Sequence, residues 1–251
     1  MFNAATSAQK LVKRANALRQ RITEKNRIDL ACDIGSTYCN DTLSAKEREI
    51  ALDIVTQLIN DEIAAVRAAI SKAVARSPHL PRNLAEKLAE DIDDVALPIL
   101  ELSPVLEDRL LEAIIEGGLV HKMNAIAKRE VVSANLCRRI VATGRKTPVI
   151  HLLNNPGAKL TNHSMVTIVR VYGDDSGVEK AVLDRGELPD DVINDLCELA
   201  EAHVISFVQR YFNLPEHVVN VQKGRNLLKT VKTTPQTKEA GEWWDTKKGV
   251  V

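Results

Sequence analysis

Short sequence motifs that indicate catalysis are missing from this chain of 251 residues. It has no GxGxxG, GxxxxGKS/T or GxSxG segment, which excludes the usual phosphate-binding loops and the serine nucleophile elbow. None of the six histidines is paired with another histidine or with a cysteine at a metal-ligand spacing. We therefore expect no cofactor, no metal ion and no enzymatic activity.

Cysteine, aromatic residues and long apolar runs are also scarce. The four cysteines form no CxxC pair, a pattern that favours single buried thiols in a reducing compartment. No apolar run approaches the roughly 18 residues that a membrane span needs. The first residues lack the apolar core of a secretory signal. These absences predict a cytoplasmic protein.

Charge is balanced over the whole chain and unbalanced within segments. The net charge is zero, yet residues 83–120 carry ten acids against two bases. Residues 121–146 carry seven bases against one acid, and both termini are basic. Solvated helix faces account for much of this pattern. The alternative is that the acidic segment pairs with basic segments, in the same chain or in a partner.

The sequence does contain a repeat with a period of 26 to 28 residues. In each copy an apolar anchor precedes a residue that opens a helix, as in Leu80-Pro81. In most copies further apolar residues follow four and eight positions later, which places all three on one helical stripe, and the pattern weakens after Leu214. In the second copy these are Leu110 and Ile114. The anchors are Leu80, Leu106, Val132, Leu160, Leu188 and Leu214.

Each copy also contains a second short helix. These helices are predicted at residues 95–100, 120–127, 149–153 and 178–183. Proline then interrupts the chain before the next copy, as in Ser103-Pro104. Because two short helices cannot bury their apolar faces alone, the copies must stack on one another. We predict an all-α fold, an α-solenoid in which two-helix repeats form a right-handed superhelix.

The same organisation extends towards the N-terminus. Leu43-Ser44 is a further anchor and cap, and Asp61 stands before a second helix, where its charge complements the helix dipole. Arg67, one turn further on, can reach neighbouring loops. This order resembles HEAT-like repeats. We assign 1–42 to an N-terminal basic helix (1–28) and cap (with a short helix at 29–40), 43–211 to HEAT-like repeats, 212–232 to a C-terminal capping helix and 233–251 to a flexible tail.

Several longer segments of the repeat resemble a known family. The segments LPRNLAEKLAEDIDDVALPILELSP, MNAIAKR, LLNNPGAKLT and VLDRGELPDDV are similar to an uncharacterised alphaproteobacterial family, domain of unknown function 2336. That family is similar to HEAT-like and leucine-rich-repeat-variant helical repeats. The resemblance covers roughly residues 43–211. It implies a helical-repeat fold and a bacterial cytoplasmic setting, and it supplies no catalytic residues.

Two sets of side chains are candidate binding residues. The first set stands before new copies of the repeat and would line up as a ridge on stacked units. Such a ridge could bind an acidic peptide or phosphates, unless its side chains bond the carbonyls that end each second helix. The second set is a possible docking motif in the tail. The ridge is Arg76, Lys128, Arg129, Asn154, Asn155 and Arg185, and the tail motif is Trp243 and Trp244.

The function that these features predict is a non-catalytic scaffold or adaptor that holds an unknown protein or peptide partner. The alternative is a nucleic-acid-binding repeat protein that uses the basic residues of 121–146 and of both termini. A net charge of zero and an aromatic content of 3% argue against that alternative, because phosphate contacts need clustered lysine and arginine. The sequence does not indicate an oligomeric state.

Overall fold

The computed structural model describes residues 23–41, 43–186, 188–199 and 202–211. Within these ranges the chain is all-helical, with thirteen α-helices and no β-strand. The helices are α1 (Glu24–Tyr38), α2 (Ala45–Ile59), α3 (Ala64–Val74), α4 (Arg82–Glu90), α5 (Asp93–Leu102), α6 (Asp108–Glu116), α7 (Val120–Ala127), α8 (Ala134–Ala142), α9 (Lys146–Asn154), α10 (Asn162–Tyr172), α11 (Ser176–Arg185), α12 (Asp190–Leu199) and α13 (Ala202–Tyr211). The chain forms two compact units, unit 1 (Met1–Leu136) and unit 2 (Cys137–Val251).

Unit 1 consists of helix pairs whose second members pack on one another in order. α1 packs on α3, α3 on α5 and α5 on α7, while α2, α4 and α6 each pack on the helix that follows them. α1 and α3 approach closely at Gly35, where an added Cβ would lie 2.3 Å from the Cβ of Ala73. Apolar side chains such as Ile70 and Ile99 are fully buried between the helices, and their burial is the main stabilising term.

Unit 2 shows the same alternation among its described residues. α9 packs on α11 and α10 packs on α12, so helices two apart in the sequence are neighbours. α13 contacts both α10 and α12. Phe207 of α13 is buried and stacks on Tyr211, with ring centroids 6.0 Å apart. The Tyr211 hydroxyl accepts a hydrogen bond from the N–H of Leu188 at 2.8 Å, which ties α13 to the start of α12.

The predicted period agrees with where the first helices begin. Five helices, α4, α6, α8, α10 and α12, begin two residues after a predicted anchor. The hydroxyls expected to cap two of them do so, because Ser133 accepts from the N–H of Leu136 and Thr161 from that of Ser164. Leu214 lies outside the described residues. The anchors Leu80, Leu106, Val132 and Leu188 are buried, and Leu160 is partly exposed.

Two local predictions are wrong by one position. Pro81, expected as the first helical residue, is the N-cap of α4. In α6 the predicted stripe of Leu110 and Ile114 is half-buried, and the fully buried residues are Leu111 and Ile115. Two apolar stripes one residue apart run along this helix, and spacing alone does not say which of them faces the core. Packing selects the second stripe.

The predicted break between a helix over 1–28 and another over 29–40 is also wrong. α1 runs without interruption from Glu24 to Tyr38 and crosses that point. Its N-cap is Thr23, whose hydroxyl accepts from the N–H of Asn26. No helix-breaking residue stands at 28 or 29, and Leu30 and Ile34 continue the buried stripe. The other predicted boundaries, after residues 42, 211 and 232, stay predictions.

Candidate interaction surface at the helix starts of unit 1

The six predicted ridge residues are divided between the two units. In unit 1, Arg76 and Lys128 are exposed, each just beyond the end of a second helix. In unit 2, Asn154 is exposed and Asn155 is the C-cap of α9, with its side-chain oxygen accepting from the N–H of Gly157 at 2.9 Å. As a partner-binding ridge the set stays a prediction. The tail motif of tryptophans 243 and 244 lies outside the described residues.

Arg129 and Arg185 use their guanidinium groups inside their own units. Arg129 donates to the carbonyl oxygens of Leu100 and Ser103, both at 2.7 Å, where α5 ends. Arg185 donates to four carbonyl oxygens at and beyond the end of α9, at 2.6 to 3.1 Å. Burial lowers the pKa of Arg129, yet a guanidinium stays charged at neutral pH. Both side chains therefore close helix ends, which is the alternative role stated above for the ridge.

A different surface lies at the opposite ends of the second helices of unit 1. Arg27, in the first turn of α1, pairs with Asp61, which precedes α3. Arg67, in the first turn of α3, donates to both carboxylate oxygens of Asp91, which precedes α5, at 2.7 and 2.9 Å. Lys122, in the first turn of α7, donates to the backbone carbonyl of Asp91 at 3.1 Å. The starts of α1, α3, α5 and α7 therefore lie side by side.

We call this row the helix-start edge and define it by its four N-cap residues, Thr23, Ile63, Ile92 and Leu119. An N-cap is usually Ser, Thr, Asp or Asn, because such a side chain accepts a hydrogen bond from a free N–H of the first turn. Thr23 makes that bond, whereas Ile63, Ile92 and Leu119 do not. These three follow one another at intervals of 29 and 27 residues, once per repeat.

The aliphatic side chains of the helix-start edge are also exposed to solvent. Ile92 is 52% exposed and Leu119 is 48% exposed, and Ile63 is partly exposed. About half of Ile92 and half of Leu119 therefore remain outside the core. Neighbouring exposed apolar side chains with a polar border are typical of protein-binding surfaces. The packing of unit 1 covers only about half of the surface of Ile92 and of Leu119.

Acidic side chains border these aliphatic residues. Glu62, Glu90 and Asp94 are exposed in the turns and first turns beside them. Asp93 lies 2.8 Å from the imidazole of His121. The hydrogen bond from Arg67 lowers the pKa of the Asp91 carboxyl, so this group is ionised at neutral pH. The border of the edge is therefore rich in carboxylates.

Sequence reasoning found the ionic part of the edge and missed its aliphatic part. It predicted that Asp61 would stand at a helix start and that Arg67 would reach a neighbouring loop. Asp61 accepts from the N–H of Ile63 at 2.9 Å, and Arg67 reaches the loop before α5. Ile92 and Leu119 gave no signal in the apolar stripes because each precedes its helix. The signal that could have found them is the recurrence of a large aliphatic residue just before each second helix.

Two features of the described residues bear on the sequence expectations about metal ions and cysteines. Among the residues that the structure describes, no group of three His, Cys, Asp or Glu side chains could hold a metal ion. Burial raises the pKa of Cys137 to about 11, so its thiol is protonated at neutral pH and is a poor nucleophile. Cys32 is exposed on α1, which corrects the expectation of buried thiols.

None of the thirteen helices is long and apolar enough to cross a membrane.

The fold places the chain among all-helical proteins built from paired helices. Comparison with protein families then shows the family to which the chain belongs. The family described as "Uncharacterised protein conserved in bacteria (DUF2336)" matches residues 95–234, more than half of the chain, and the chain belongs to this family. The matched segment includes Leu119 and begins after Ile63 and Ile92. Comparisons with curated proteins and with solved structures found no match.

Proposed function

We propose that this protein is a non-catalytic interaction scaffold whose helix-start edge binds a segment of a partner protein. The observation that carries the proposal is the exposure of Ile92 and Leu119 at helix starts where a polar cap would stabilise the fold better. Some positions hold a residue that the local structure does not favour and that does not make the fold more stable. Such positions are expected at functional sites. Binding gives these side chains a role that packing does not.

The architecture that we propose for the chain is an α-solenoid of HEAT-like repeats. Its support is the period of the helix starts, the successive packing of second helices in unit 1 and the same alternation within unit 2. Stacked repeats present equivalent positions as a row, as the N-caps of unit 1 do. A row of this kind suits an extended partner segment better than a small ligand.

The partner segment that we propose is basic and amphipathic. Its apolar stripe would cover the aliphatic N-caps, and its lysine and arginine side chains would face the carboxylates that border the edge. The same carboxylates argue against nucleic acid at this surface, because phosphates would face like charge. The expected partner is therefore a protein with such a helix or extended segment.

Affinity capture with matched variants of the full chain tests this proposal. The double variant Ile92→Lys/Leu119→Lys alters the edge, and Val131→Lys is its control. Val131 is 58% exposed and follows the end of α7 that is opposite to Leu119. We expect a protein that the wild type and the control retain through nuclease treatment and moderate salt. The double variant should retain it about ten-fold less, because two apolar contacts are lost.

Two results would count against the proposal. Equal capture by the wild type, the double variant and the control would remove the helix-start edge as the binding surface. Capture that disappears after nuclease treatment would favour the nucleic-acid alternative.

A further inference from the structure

We infer that binding at the helix-start edge depends on pH, because the protonated imidazole of His121 competes with the basic side chains of the partner for the carboxylate of Asp93. This inference rests on the proposed function, since it names a specificity-determining pair and a means of regulation at the same surface. Three features point to it: the way the helix starts are joined, the position of the pair, and the chemistry of imidazole.

Guanidinium groups join the helix starts of unit 1 at two of their three steps. Arg27 of α1 pairs with Asp61, which precedes α3. Arg67 of α3 pairs with Asp91, which precedes α5. In both steps the base belongs to the earlier helix and the acid to the turn before the later one. A guanidinium is not deprotonated in proteins, so these two bases keep their charge through neutral and mildly acid pH.

The third step, from α5 to α7, is joined in the opposite direction and by a different base. α5 contains no lysine, arginine or histidine, and the two residues before Leu119 are glycines. Here the acid, Asp93, belongs to the earlier helix and the base, His121, to the later one. The Nε2 atom of His121 lies 2.8 Å from a carboxylate oxygen of Asp93. The side-chain pair of this step therefore has an imidazole as its base.

The pair belongs to the step that has the two most exposed aliphatic N-caps. Asp93 directly follows Ile92, and His121 is two residues after Leu119. Both side chains of the pair are accessible, with 43% of Asp93 and 50% of His121 exposed. A partner segment that covers Ile92 and Leu119 with its apolar stripe would bring its basic side chains within reach of Asp93.

The other charged groups around His121 are carboxylates and one buried amine. α5 contributes Asp94 besides Asp93, the turn before α5 contributes Asp91, and α6 ends at Glu116. On α7 itself the buried Lys122 donates to the backbone carbonyls of Ala89 and Asp91.

Only an imidazole among these kinds of group ordinarily changes its charge near neutral pH. Carboxyl groups ordinarily titrate near pH 4 and lysine near pH 10, whereas imidazole does so between about pH 5 and 8. Within the described residues of unit 1 the other histidine is His79, which lies beyond the end of α3 and away from the helix starts. The edge therefore has one group that responds to pH in this range.

Protonation of the imidazole changes the edge in two ways that act in the same direction. A neutral imidazole leaves the carboxylate of Asp93 to the lysine or arginine side chains of the partner. A protonated imidazole forms an ion pair with Asp93 and adds a positive charge that repels the partner. Because imidazole gains its proton as the pH falls from about 8 to about 5, the affinity of the edge for a basic segment falls with it.

Binding of a synthetic peptide to the full chain at two pH values tests this inference. The probe is a fluorescently labelled amphipathic helix of leucine and lysine. A length of about 18 residues, or about 27 Å, matches the roughly 24–30 Å of three steps between packed helices. Lysine keeps its charge between about pH 5.5 and about pH 7.5, so a change in affinity comes from the protein. Fluorescence anisotropy at constant low ionic strength measures Kd.

Two substitutions hold position 121 in a single charge state. His121→Gln is neutral and His121→Lys is positively charged at both pH values. The wild type should bind the peptide about three-fold more weakly at the lower pH, the size of effect expected from one exposed ion pair. His121→Gln should bind at both pH values as the wild type does at the higher one. His121→Lys should bind at both as the wild type does at the lower one.

His79→Gln is the matched control for His121→Gln. His79 also pairs with an aspartate, since its Nε2 atom lies 3.0 Å from a carboxylate oxygen of Asp41, but this pair is remote from the helix starts. The control should keep the full pH dependence of the wild type. The double variant Ile92→Lys/Leu119→Lys should weaken binding of the peptide at both pH values, which places the peptide on the edge.

Three outcomes would overturn the inference. Equal affinity of the wild type at the two pH values, or a pH dependence that His121→Gln retains, would remove the role of His121 and leave the proposed function standing. Binding that the double variant leaves unchanged would show that the peptide binds elsewhere. Absence of binding at both pH values would remove the basic partner segment and this inference with it. The capture test would then still decide whether the edge binds a protein of other chemistry.

Discussion

Three of the four second helices of unit 1 begin differently from the second helices of unit 2 whose starts the structure describes. In unit 1 the N-caps of α3, α5 and α7 are aliphatic and make no side-chain cap. In unit 2 the N-cap of α9 is Arg145, which makes no side-chain cap either, and that of α11 is Asp175, whose carboxylate accepts from two N–H groups of the first turn. Lys146, the first residue of α9, donates to Asp175 at 2.8 Å. The two described N-caps of second helices in unit 2 are thus polar, whereas α3, α5 and α7 of unit 1 have aliphatic ones.

One second helix in each unit, in contrast, is closed at its end in the same way. Arg129 donates to carbonyls at the end of α5 in unit 1, and Arg185 does so at the end of α9 in unit 2. An arginine that closes a helix end in both units is a feature of the fold. Second helices begin with aliphatic N-caps at α3, α5 and α7 and with polar N-caps at α1, α9 and α11, so the fold does not require aliphatic residues there, and we propose that they serve binding.

The largest expected effect is a loss of stability when an arginine that closes a helix end is replaced. Arg185→Leu leaves four carbonyl oxygens without their charged donor and should lower the free energy of unfolding by about 3 kcal/mol. Arg129→Leu removes two such bonds and should cost about 2 kcal/mol. Urea unfolding followed by circular dichroism measures both. Arg76→Leu, at an exposed ridge position, is the control and should change stability by less than about 0.5 kcal/mol.

Similar, small losses of stability in all three arginine variants would contradict the view that Arg129 and Arg185 close helix ends in both units. The hydrogen bonds of Arg129 and Arg185 would then contribute nothing particular to the fold. The predicted ridge would become a stronger candidate for the binding surface than the helix-start edge.

The second expected effect concerns the ionic contacts at the helix starts. Arg67 lowers the pKa of Asp91, so the ionised carboxylate stabilises unit 1 above about pH 4, its ordinary unfolded value, and this stability is lost as the pH falls through the lower folded pKa. Asp91→Asn should therefore cost about 2 kcal/mol at pH 7 and progressively less below about pH 4. Urea unfolding at a series of pH values measures the difference.

Asp175→Asn in unit 2 is the matched control for Asp91→Asn. Lys146 lowers the pKa of Asp175 as well, but the Asp175 side chain is 32% exposed against 17% for Asp91. Asparagine is also an equally good N-cap, so the cap of α11 survives the substitution. We expect little change in stability at any pH. A loss as large as that of Asp91→Asn would mean that the ionic contacts do not distinguish the two units.

The starts of the first helices were predictable because polar residues mark them in the sequence. Ser133 and Thr161 follow apolar anchors at a regular interval, and a hydroxyl at that place has one favoured role. The break expected near residue 28 was wrong because α1 begins earlier, at a threonine that the analysis of apolar spacing passed over. Local chemistry thus predicts helix starts better than composition does.

The contacts of the ridge arginines and the exposure of the edge were not predictable in the same way. Arg185 and the carbonyl of Leu152 are 33 residues apart. Every residue has a backbone carbonyl, so the sequence does not indicate which one accepts the hydrogen bond. Ile92 is apolar in the sequence, but its exposure depends on which neighbouring helices cover it. Burial is a property of packing, and in α6 even the choice between two adjacent apolar stripes was made by packing.

The most direct test of the central claim is the stability of α7 in the variant Leu119→Ser. Serine at the N-cap can accept from a first-turn N–H, so amide hydrogen exchange in α7 should slow by about five-fold, equivalent to about 1 kcal/mol, while capture of the partner falls. Val131→Ser should change neither. Faster exchange in α7 of Leu119→Ser would show that the leucine stabilises the fold, and it would contradict the claim that unit 1 keeps it for binding.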